Sequence, residues 1–156
     1  MNQSYYESVR NQFERLRKAL QEDGQTVNMC ECMFLGYALD CIKLADEEFQ
    51  FELDGSESSL LQFDEILHAA HLAYQTGELK EADLAEFSKL FAGYAGTVLI
   101  QQLGGVWTYA QDAAEHVGPA IDLMAIIYLW SEKWPIVLSR MSLIQDFING
   151  SRKINK

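Results

Sequence analysis

The chain has 156 residues, a single ordinary domain's length, and 49% hydrophobic with 22% charged residues is the composition of a folded globule rather than a disordered tail. Its net charge of −11 argues against specific nucleic-acid binding, which needs Lys and Arg clusters on phosphate. No apolar stretch approaches the ~20 residues of a membrane span, so neither nucleic acid nor membrane is expected as a partner.

Residues 4–22 read as an amphipathic helix. Tyr6, Val9, Phe13, Leu16 and Leu20 recur at spacings of three and four, with Arg10, Glu14, Arg15, Arg17 and Lys18 opposite. The polar start carries neither a basic n-region nor an apolar core, which favours a cytoplasmic location over secretion. Asp23-Gly24 is a stop signal for this helix.

A second helix is expected over about 28–46. It is apolar nearly all round, through Met29, Cys30, Met33, Phe34, Tyr37, Ala38, Cys41 and Ile42, which marks a buried central element. Gly36 is a place for another backbone to come close. Phe49, Phe51 and Leu53 alternate with Gln50 and Glu52 as a strand-like or extended piece, and Asp54-Gly55-Ser56 is a turn.

Ser56 or Ser58 can cap a third helix carrying Leu60, Leu61, Phe63, Ile66, Leu67, Ala70 and Tyr74 and stopping near Gly77. Glu57, Asp64 and Glu65 lie in its N-terminal half, where the helix dipole favours them. A fourth helix over about 80–103 carries Leu84, Phe87, Phe91, Tyr94 and Val98. Gly93 and Gly96 beside them allow tight packing on the second helix.

Gly104-Gly105 breaks the helical period, and Val106 to Tyr109 reads as a strand. Ile121 to Leu129 fits either a second strand or a helix. A helix from Pro135, a short one over 142–148 and a basic tail at 151–156, a candidate flexible end, complete the chain. No linker or repeat divides it, so residues 1–156 read as one domain. The expected fold class is α+β, predominantly helical, with five or six helices packed on a small β-hairpin or short antiparallel sheet.

The charge is unevenly placed. Between Leu44 and Leu79 stand nine acidic residues and no Lys or Arg: Asp46, Glu47, Glu48, Glu52, Asp54, Glu57, Asp64, Glu65 and Glu78. Ordinary surfaces intersperse the two signs, and a one-sided field attracts basic proteins. Asp46, Glu47, Glu48, Glu52 and Asp54 are the candidate partner-binding residues, because capping and dipole account for the later acids.

Motifs of catalysis are absent from the sequence. Cys30, Cys32 and Cys41 lack the fourth ligand of a structural zinc site and the Cys-x-x-Cys of a redox pair, so reduced, buried thiols are expected. Glu65, His68 and His71 share one helical face. Glu-x-x-His is half of a di-iron signature whose second copy is missing, which leaves a metal-binding or hydrolytic domain as the alternative function. There is no Gly-x-Ser-x-Gly elbow, Gly104-Gly105 is too short for a phosphate cradle, and Asp54 with Glu57 lacks the spacing of a calcium loop. Trp107, Trp130 and Trp134 read as packing residues, with an oligomer surface as a further alternative. No cofactor is expected, and homo-oligomerisation stays open.

Two segments together resemble a group of small, largely uncharacterised bacterial proteins. FELDGSESSLLQFDEIL, from Phe51 to Leu67, is similar to their L-D-x-S-x-x-S-L-x-x-L-D-x-L-L segment. FAGYAGTVL, from Phe91 to Leu99, with LGGVW at Leu103 to Trp107, is similar to Y-x-G-E followed by G-G-x-W. Gly118-Pro119 and Trp134-Pro135 fit the same layout. The sequence departs at Thr97, where the family commonly has Glu. The resemblance implies an α+β domain with helices on a small β-hairpin or sheet, and no enzymatic role transfers with it. Several relatives of this type are suspected toxin-immunity proteins, which implies inhibition by binding a partner.

Overall fold

Two N-terminal helices begin on asparagines, each of which accepts a backbone N–H that the first turn leaves without a partner. The computed structural model describes residues 1–23 and 27–107. Helix α1 spans Gln3–Glu22, with Asn2 Oδ1 accepting from Tyr5 N at 3.0 Å. Helix α2 spans Met29–Phe49, with Asn28 Oδ1 accepting from Glu31 N at 3.0 Å. Helix α3 spans Glu57–Gln75 and is capped by Ser56, as its sequence suggests; helix α4 spans Glu81–Leu103.

Helix α2 is apolar nearly all round because it is covered on two sides. Cys30, Phe34, Ala38, Cys41, Ile42 and Ala45 belong to the main core shared with α4, while Leu35 and Leu39 pack with Val9 of α1. Every residue from Phe91 to Leu99 in α4 is buried. The close approach occurs at Gly93, where an added Cβ would stand 2.6 Å from Phe34 O and 2.8 Å from Ala38 N. Gly36, expected to admit a backbone, instead faces the Phe13 ring of α1, with Cε2 3.3 Å from such a Cβ. Helix α3 lies against α4 through residues such as Ile66 and Leu67; Leu61 and Leu72 of α3 remain exposed.

The expected α+β class is overturned: the described residues form four helices and no strand. The reason lies in where the backbone bonds go. Phe49 is the last residue of α2, and Gln50 turns the chain in the left-handed region at φ 55°. Phe51 N–H then donates back to Ala45 O at 3.0 Å, and Gly55 N–H donates to Tyr94 Oη at 2.9 Å. The extended piece between them buries Leu53 but has no neighbouring strand among the described residues to form a ladder with. Its alternating pattern records one-sided burial, not a sheet.

Val106 and Trp107, assigned to a strand by sequence, also lie outside regular structure. After Gly104 and Gly105, both at positive φ, the Trp107 ring stacks on Phe34 with centroids 4.2 Å apart. Asn28 Nδ2 donates to Trp107 O at 2.9 Å, so the end of α4 is tied to the start of α2. Thr108, Tyr109, Ile121 to Leu129, Trp130, Trp134, the two later helices and the tail lie outside the described residues, as do the side chains of Phe63, Asp64 and Leu84. No helix among the described residues is long and apolar enough to cross a membrane.

Candidate functional site

The candidate acids divide according to what holds them. Asp46 Oδ1 sits 2.7 Å from the amino group of Met1, which raises the pKa of that amine, chiefly through their hydrogen bond. Asp54 accepts from Ser56 N at 3.0 Å and from Ser56 Oγ, and these bonds hold its carboxyl below the usual carboxylate range. Both are therefore occupied inside the fold. No ion pair or side-chain hydrogen bond engages the carboxylates of Glu47, Glu48 or Glu52 among the described residues, and all three are exposed.

Glu47 and Glu48 stand in the last turn of α2, which holds no basic residue. The helix dipole is negative there, so each carboxylate is opposed by about 0.3–1 kcal/mol at an exposed site. Gln50 Nε2 donates to Glu47 O at 3.2 Å, which covers one carbonyl without neutralising any charge. In α3, only Glu57 lies in the first turn; Glu65 is more than two turns in, beyond the reach of the dipole that the sequence invoked for it.

Beside this helix end lies a groove of about 410 Å³. Leu44, Glu48 and Phe49 line it from α2, and Phe87 and Phe91 from α4. Across from them α3 presents Ile66, Ala69, Ala70 and Ala73, and the turn after α3 adds Glu78 and Leu79. The space follows from the alanines: a methyl group at Ala69, Ala70 and Ala73 does not reach far enough to fill it. Among the described residues, the charged ones that line it are Glu48 and Glu78. A volume of this order falls within the range of ligand pockets, which are apolar with a few placed polar groups.

The remaining candidates resolve into structure. Cys30, Cys32 and Cys41 are unpaired and buried, and burial pushes all three thiols up in pKa, Cys41 most. Glu65 is exposed, His68 half-buried and His71 buried, and both histidines have interactions of their own. Among the described residues no three His, Cys, Asp or Glu side chains stand together as a metal ion would need. The Trp107 ring is engaged with Phe34.

Sequence reasoning missed a buried hydroxyl network between α4 and the turn before α3. Tyr94 of α4 is fully buried and reaches the turn before α3. Ser59 Oγ donates its single proton to Ser56 O at 2.6 Å, so Tyr94 Oη–H donates to Ser59 Oγ while its oxygen accepts from Gly55 N. Tyr5 closes over this turn, its ring edge-on to Tyr94 at 6.5 Å and its hydroxyl donating to Gln101 Oε1 at 3.1 Å. Gly55 at φ 80° has no room for a Cβ, which would overlap the Tyr5 ring at Cε2. Thr97, the position where the resemblance leads one to expect Glu, is buried and donates to Gly93 O at 2.7 Å, within the turn that contacts α2. These residues hold elements together and have no open reactive group.

No family model matches the chain, and neither a curated protein nor a solved structure matches it.

Proposed function

We propose that the chain is a non-enzymatic protein-binding module, of the immunity or antitoxin type, that holds a basic partner against the acidic end of α2. The observation that carries this is the placement of Glu47 and Glu48 at a helix end that opposes negative charge, with no ion pair to either carboxylate among the described residues; Glu52 follows, and the Met1 amino group, paired with Asp46, offsets part of its charge. Charges kept where they destabilise the free fold are explained by a partner that neutralises them. Steering by such a field speeds association and weakens with salt. Three unpaired, buried cysteines fit a reducing compartment, and the cytoplasm is the proposed location.

The test is charge reversal where the fold does not use the charge. The full chain carrying Glu47→Lys, Glu48→Lys and Glu52→Lys should melt at the same or a higher temperature than the parent, since repulsion is relieved. In a pull-down from the native host it should lose the partner that the parent retains at low salt. An unchanged set of captured proteins rejects the proposal. Asp46 and Asp54 are left out because their bonds to Met1 and Ser56 belong to the fold.

A further inference from the structure

Among the described residues, the groove beside α2 is lined mainly by apolar side chains, Ile66 and Phe91 among the buried ones, and the two charged residues in the lining are both acidic. An anionic amphiphile would meet Glu48 and Glu78 with its head group, and a wholly apolar ligand would leave their charges unused. A single small amine has one positive charge for two carboxylates, with Glu47 exposed in the same helical turn as Glu48. The match is to a partner that carries several cations around a bulky apolar group. We infer that this groove seats one large apolar side chain of a basic peptide segment, while Glu48 and Glu78 pair with Lys or Arg flanking it. The inference rests on the reading of α2 as a basic-partner surface and deepens it by naming the anchor.

The division of labour is the usual one for interfaces. A buried anchor in a water-excluding pocket supplies most of the affinity, and the charges around it supply rate and orientation. The probe is a short amphipathic peptide of Lys and Leu with one central Trp, fluorescently labelled and titrated into the full chain while anisotropy is read. Replacing that Trp with Ala should weaken binding by roughly tenfold or more. Ala73→Trp, which fills the groove from α3, should weaken the parent peptide by a similar factor and leave the Ala peptide unchanged. Ala69→Leu serves the same purpose if Ala73→Trp does not fold. Glu48→Gln with Glu78→Gln should weaken binding and flatten its dependence on salt.

If the Ala peptide binds as well as the Trp peptide, or a folded groove-filling variant binds the parent peptide unchanged, the inference is overturned. Loss of binding in the variant with Glu47→Lys and Glu52→Lys would still leave the function proposal standing in that case. Indifference to every one of these changes sinks both. Occlusion is read separately by Ala73→Cys, whose new thiol should react with a thiol reagent at the rate of an accessible group and be slowed by the peptide. If that thiol is shielded in the free full chain, the inference is overturned, because the groove is then covered by the protein itself or by a second copy.

Discussion

Tyr94 shows how much one hydroxyl can decide. Removing it in Tyr94→Phe leaves the half-buried Gly55 N–H and the buried Ser59 hydroxyl each short of one partner. The expected loss is about 1–3 kcal/mol, seen as a lower urea midpoint at neutral pH. The same burial makes stability fall in alkali. Burial raises the Tyr94 hydroxyl well above its ordinary 10.0, pushes Tyr5 up to about 12, and raises the Cys41 thiol well above 9.0. Above those ordinary values the unfolded chain has released protons that the folded chain retains, so stability falls as pH rises. The decline should begin near pH 9 with Cys41 and steepen past 10 with the tyrosines. Tyr94→Phe, less stable at neutral pH, should fall less steeply through the same range, and equal slopes in a set of urea titrations would contradict this account.

Three helix starts carry a capping side chain, Asn2, Asn28 and Ser56, of which sequence reasoning singles out Ser56 alone; α4 starts at Lys80, which makes no side-chain cap bond, and its start is legible from the apolar spacing. The expected hairpin fails because alternation at Phe49, Phe51 and Leu53 reports burial on one side, and a linker pinned between α2 and Tyr94 has that property without a partner strand. Contacts between elements divide the same way. Gly93 is readable as a small residue for packing on α2, but its role as the closest backbone contact, in place of Gly36, depends on the crossing of two helices. Gly93→Ala would put a methyl group 2.6 Å from Phe34 O and 2.8 Å from Ala38 N, which forces α4 off α2. Overpacking of this kind typically costs about 1–3 kcal/mol. Gly36→Ala meets only the movable edge of the Phe13 ring at 3.3 Å and should be much milder. Paired thermal melts check the order, and Gly36→Ala being the worse of the two would place the tight contact on α1 instead. The acidic run is plain in composition, but the groove beside it is not. It needs Ala69, Ala70 and Ala73 to face α2 across a gap, and nothing local in the sequence encodes that gap.

At the scale of the whole molecule, a net charge of −11 sets two responses to salt against each other. Among the described residues Glu14 pairs with Arg17 and Glu86 with Lys89 within single helices, while the Met1 amino group meets Asp46 at the end of α2 and offsets only part of the charge there. The clustered carboxylates repel one another and the α2 dipole, and added salt screens that repulsion because the groups are exposed. The free protein should therefore melt at a higher temperature as ionic strength rises from about 0.01 M to 0.15 M, while the Debye length falls from roughly 30 Å to 8 Å. Attraction to a basic partner is screened by the same ions, so capture of the partner should weaken over the same range. The variant with Glu47→Lys, Glu48→Lys and Glu52→Lys removes much of the repulsion and should show a flatter rise in melting temperature. Differential scanning fluorimetry across a salt series, run beside the pull-down at the same salts, reads both effects. If salt left the parent's melting temperature unchanged or lowered it, the charge on α2 would not be a strain on the free fold, and the physical argument for a neutralising partner would lose its footing.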